Sequence, residues 1–83
     1  MGRLPLEKAE KLYNSTVRLL RYTTWKCGKI ERSIIHFLRK RLLSHGKPQA
    51  TVCEILATAE DQRKEFLDAL RRLQKRKIIK ILQ

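Results

Sequence analysis

Residues 61–82 read DQRKEFLDALRRLQKRKIIKIL. Phe66, Leu67, Ala69, Leu70 and Leu73 recur at the three-to-four spacing that gathers apolar side chains on one helical face. Acids open the stretch (Asp61, Glu65, Asp68) and bases close it (Arg71, Arg72, Lys75, Arg76), the order that suits a helix dipole. The spacing predicts a helix from about Asp61 to Lys75. Beyond it, Ile79 and Ile81 alternate with Lys80, and isoleucine enrichment favours a strand. Continued helix over 77–82 is the alternative.

Working towards the N-terminus, Thr51-Val52-Cys53-Glu54 fits a helix capping box, in which the hydroxyl and the carboxylate each satisfy an unbonded N–H. A short helix is predicted from Thr51 to about Ala59. Ile30, Ile34, Phe37, Leu38 and Leu42, broadened by Ile35, define a helix from about Lys29 to Ser44, ended by Gly46 and Pro48. A strand paired with the C-terminal one would lie around residues 47–50. Leu6, Ala9, Tyr13, Val17, Leu20 and Thr24 also recur at helical spacing, so a first helix is predicted from Pro5 to Trp25.

The expected fold is therefore all-α or mainly α. It has four helices: a three-helix core, an added N-terminal helix and a short C-terminal strand. The expected division is an amphipathic docking or dimerisation helix over 1–28 and a basic domain over 29–83.

The chain has 83 residues, with 20 Lys and Arg against 8 Asp and Glu, a net charge of +12. At 42% hydrophobic it is too apolar for a disordered basic tail. Its apolar runs are far shorter than the roughly 18 residues of a membrane span. No signal peptide is visible, and the expected location is the cytoplasm, with association to the nucleoid as an option. The abundance of Ile, Leu, Lys and Arg matches thermophile usage. Charge is uneven: residues 49–68 carry 2 bases and 5 acids, whereas residues 69–83 carry 6 bases and none.

Residues 30–82 resemble a winged-helix or helix-turn-helix DNA-binding domain. The resemblance lies in three helices of these relative lengths and in Leu70-Arg71-Arg72-Leu73-Gln74-Lys75-Arg76-Lys77-Ile78-Ile79-Lys80-Ile81, where a leucine-rich helix end passes through a basic turn into a strand. At most one strand of the wing fits before Gln83. The family's third helix enters the major groove by its N-terminal half. Here that half carries Glu60, Asp61, Glu65 and Asp68, which repel phosphates. The basic residues are thus the expected contacts, and the acids are assigned to a protein partner.

Two basic groups are candidates for nucleic acid. One is Arg71, Arg72, Lys75, Arg76, Lys77 and Lys80. The other is Arg32, Arg39, Lys40 and Arg41 with Lys26 and Lys29. Cations at this density neutralise phosphates and release counterions without reading sequence. Tyr22 and Trp25 are candidates for docking on a partner, or for stacking on unpaired bases. Glu31 reads as a surface charge.

No catalytic constellation is visible. His36 and His45 lack an acid or serine at useful spacing, and Cys27 and Cys53 lack metal-site spacing and read as free buried thiols. No cofactor is expected. The leading expectation is a non-enzymatic, basic nucleic-acid-binding protein that favours duplex DNA, either a homodimer through its N-terminal helix or part of a larger complex. The rival is a non-catalytic accessory subunit of a replication, transcription or ribosomal machine. A membrane-surface role is the least favoured.

Overall fold

The computed structural model describes residues 14–82. In chain order they form β1 (Thr16–Leu19), α1 (Lys29–His45), β2 (Gln49–Thr51), α2 (Val52–Ala57), a 3-10 turn (Glu60–Gln62), α3 (Arg63–Lys75) and β3 (Ile79–Leu82). The three strands form one antiparallel sheet in the order β2-β1-β3.

This corrects the mainly-α expectation. Among the described residues there are three α-helices and a three-stranded sheet, an α+β architecture. The expected helix over Pro5–Trp25 is a strand at Thr16–Leu19, and its part over 1–13 lies outside the described residues. Val17 and Leu19 are both buried, on one face of β1. In a helix, two residues that far apart in sequence point about 200° apart, so a helix could not bury both against one layer. The partner of β3 also differs from the expected segment at 47–50. Val17 faces Ile81 on one side and Ala50 on the other, so β1 separates β2 from β3.

The helices form where the apolar spacing places them. Ile34, Ile35 and Leu38 of α1 and Phe66, Ala69, Leu70 and Leu73 of α3 bury against Val17, Leu19, Ile78 and Ile79. Full burial of an aliphatic side chain stabilises by about 1.5–3 kcal/mol. Glu31 is not a surface charge: it is buried, and its carboxylate accepts the Gly28 N–H (3.0 Å) at the start of α1. The helix ends at Gly46, whose φ of 79° allows its N–H to reach the Leu42 carbonyl at 3.0 Å.

The capping box of α2 is present as predicted. The Thr51 hydroxyl accepts the Glu54 N–H (3.1 Å), and Glu54 Oε1 accepts the Thr51 N–H (3.0 Å). Val52 N–H donates to the Ser15 carbonyl (3.0 Å), tying the start of α2 to the residue before β1. The end of α3 turns through Lys77, which has φ 59°. Lys77 N–H bonds the Gln74 carbonyl (2.9 Å) and Ile78 N–H bonds the Leu73 carbonyl (3.0 Å), the paired bonds of a left-handed helix terminus. Ile78, fully buried, anchors that turn and launches β3.

Candidate nucleic-acid interface

Strand alternation sorts the sheet's side chains. Val17, Leu19, Ala50 and Ile79 face the core, so Arg18, Gln49 and Lys80 share the opposite face. Arg18 lies directly across from Lys80, and both are exposed. Like charges in this position repel. Neither forms an ion pair with a described residue. Arg18 belongs to neither basic group that the sequence suggested, and its place opposite Lys80 comes only from the sheet. The Val17-Arg18-Leu19 alternation was its signal, hidden because the stretch also fitted a helix.

The predicted group at the end of α3 divides between the helix, the turn after it and the outer face of the sheet. Arg71 and Lys75 fall one helical turn apart and are exposed, with Lys77 in the turn and Lys80 on β3. Arg72 leans towards Glu31, with Nε 3.7 Å from Oε1.

Arg76 is used differently from its neighbours. Its Nη2 donates to the Trp25 carbonyl (2.8 Å) and its Nη1 to the Lys26 carbonyl (3.3 Å) and Cys27 Sγ (3.4 Å). In return Arg21 Nη2 donates to the Arg76 carbonyl at 3.2 Å. The guanidinium thus pins the 25–27 loop against the end of α3. Lys26 holds a left-handed φ of 55° in that loop, and its Nζ lies 4.6 Å from the centroid of the Trp25 ring. Trp25 is 69% exposed. Trp25, Lys26, Glu31, Arg72, Lys75 and Arg76 line a groove of about 420 Å³.

The second predicted group divides. Arg32, Arg39 and Lys40 are exposed along α1 with Lys29. Arg39 lies 4.7 Å from the Tyr22 ring centroid, and Tyr22 also meets His36 edge-on at 6.1 Å. Arg41 pairs with Glu54 on α2 and lies over Phe37, while Lys26 belongs to the Trp25 loop. Tyr22 sits beside α1 and Trp25 beside the end of α3.

The Thr51 backbone N–H, then the Arg41 side chain, hold the Glu54 carboxyl below its ordinary value of 4.5. The acids assigned to a partner lie along the start of α3. Glu60 and Asp61 sit in the 3-10 turn, Glu65 is exposed in the first turn of α3, and Asp68 is half-buried. At 1.5 Å per residue, Glu65 and Lys75 are about 15 Å apart along the axis, so α3 has one acidic and one basic end.

Both cysteines are free; Cys27 is half-buried and Cys53 exposed, which corrects their expected burial. Among the described residues no group of His, Cys, Asp and Glu is arranged to hold a metal ion, and no helix is long and apolar enough to cross a membrane. No family model, curated protein or solved structure matches this chain. The chemistry of its own surface is what points to a function.

Proposed function

We propose that this protein binds nucleic acid, with duplex DNA preferred, by contacting phosphates through the end of α3, the Lys77 turn and the outer face of the sheet. The observation that carries this reading is the cation pair Arg18–Lys80, held in like-charge opposition on the outer face of the sheet, with Lys80 five residues beyond Lys75 at the basic end of α3. Such an arrangement costs folding stability, and an anion set between the two charges removes the cost. Sequence reading by the acidic start of α3 is not part of the proposal. The contacts are to backbone, and the preference among sequences is modest.

The test is fluorescence anisotropy with duplex DNA, single-stranded DNA and RNA over a salt series. Duplex DNA is expected to bind tightest, with a steep salt slope. Replacing Arg71, Lys75 and Lys80 by alanine is expected to lower the slope by about 2 to 3, at roughly 0.9 per phosphate contact. Weak binding to all three polymers at low salt would overturn the reading. It would favour an accessory subunit, whose protein contact would be the exposed acids Glu60, Asp61 and Glu65.

A further inference from the structure

The Trp25 groove has a composition that phosphate contact alone does not call for. A protein that only neutralises a backbone needs cations, and an indole left 69% exposed beside them adds nothing. Here the backbone that carries the exposed indole is held in place. Arg76 holds the carbonyls of Trp25 and Lys26 at 2.8 and 3.3 Å on the C-terminal side of the ring's attachment, and the Trp25 N–H donates to Thr23 Oγ1 at 3.3 Å on the other. Lys26 is kept in a left-handed conformation that a lysine adopts only at a cost, and its ammonium is brought over the indole. Four cations and one carboxylate line the groove. That carboxylate, Glu31, is already engaged by the Gly28 N–H and approached by Arg72. The groove therefore offers a flat aromatic surface inside a positive rim.

We infer that this groove takes an unpaired nucleobase, stacked on Trp25, with its flanking phosphates on Lys75 and Lys26. The inference rests on the nucleic-acid reading above and sharpens its substrate class: duplex DNA that continues into a single strand. Lys75 links the two parts, since it lines the groove and also continues the exposed face of α3 from Arg71. Stacking on an aromatic side chain is sequence-tolerant, because every base has a π-face. The indole accounts for an unpaired base, the rim for its phosphates, and α3 with the sheet for the adjoining duplex.

Trp25 is the sole tryptophan of the chain, so intrinsic fluorescence reports on this groove alone. The experiment uses the full chain and three DNAs with one common duplex. One is blunt, one has a six-nucleotide overhang, and one has an abasic overhang of the same length. The abasic strand keeps every phosphate and lacks every base. The expected result is tighter binding of the base-bearing overhang over the abasic one by roughly five- to a hundred-fold, with quenching of Trp25 by the base-bearing DNA only. Trp25→Ala should bring the base-bearing overhang down to the abasic level, and Trp25→Phe should restore part of the difference. Circular dichroism verifies that both variants are folded. Equal binding of the two overhangs without quenching would overturn the inference while leaving the duplex reading intact. No binding to any of the three DNAs would overturn both.

Discussion

The seam between α3 and the 25–27 loop and the outer face of the sheet are both rich in cations, and they use them in opposite ways. At the seam, Arg76 donates to two carbonyls and a sulfur, and Arg21 returns a bond to the Arg76 carbonyl. On the sheet, Arg18 and Lys80 face each other with no ion pair to a described residue. A cation of the first kind is structural, and its removal lowers stability. A cation of the second kind opposes the fold slightly, and under the proposed function its removal lowers affinity. Stability and the proposed binding should therefore separate along the basic surface, and each side can be tested against the other.

The largest expected effect is on binding. The double change Arg18→Ala with Lys80→Ala should weaken duplex DNA binding on the order of tens of fold at 0.1 M salt and lower the salt slope by about 2. The same variant should be as stable as the wild type or up to about 1 kcal/mol more stable in a low-salt melt. Loss of stability in that variant would break the comparison.

Next is the converse at the seam. Arg76→Ala should cost about 1–2 kcal/mol, since three donated hydrogen bonds from a charged group are lost at a partly exposed site. Urea denaturation measures the cost. A fall in the steady-state fluorescence anisotropy of Trp25 would show that the loop has been released. Duplex affinity should fall less than in the sheet variant.

The Thr51–Glu54 cap gives a comparable or smaller effect, visible in its pH dependence. The folded state holds Glu54 below 4.5, so the folded chain carries fewer protons there than the unfolded one. The stability this provides is fully present above about pH 4.5 and is lost as pH falls through the lowered native value. Glu54→Gln should flatten that part of the acid limb of a stability–pH curve. Thr51→Ala should cost about 1 kcal/mol at neutral pH. An unchanged acid limb in Glu54→Gln would show that another carboxylate sets it.

The smallest expected effect has the opposite sign. Lys77 holds φ 59° at the end of α3, where glycine is free of the Cβ penalty. Lys77→Gly should raise the thermal midpoint, by the few degrees that correspond to about 0.5–1 kcal/mol. Duplex affinity should fall through loss of one phosphate contact. A stability gain together with an affinity loss would place Lys77 with Arg18 and Lys80.

The three helices were legible because Ile34, Leu38, Phe66, Leu70 and Leu73 repeat at a period that only a helix satisfies, and because Thr51, Glu54 and Gly46 mark ends by local chemistry. β1 was not legible. Val17 and Leu20 fit a helical repeat as well as Val17 and Leu19 fit a strand, and its partners, Ala50 and Ile81, are distant in the chain. The candidate site divides in the same way. Arg71, Lys75 and Lys80 follow from charge and sequence position. The withdrawal of Arg76 into the fold depends on carbonyls about fifty residues upstream, and no local pattern announces it. The opposition of Arg18 to Lys80 depends on a pairing that only the folded sheet creates.

The central position of β1 has a consequence for how the chain is made. Its residues are synthesised before either neighbour, yet it hydrogen-bonds to both β2 and β3. The first of the three described strands to leave the ribosome is therefore the last to be fully paired. Until β3 emerges, Val17 and Leu19 lack one wall of their enclosure and one edge of β1 stays open. Sheet closure in this protein is a long-range event, slower than the helix formation around it, and a nascent chain stalled between α3 and β3 would present that open edge to whatever it meets.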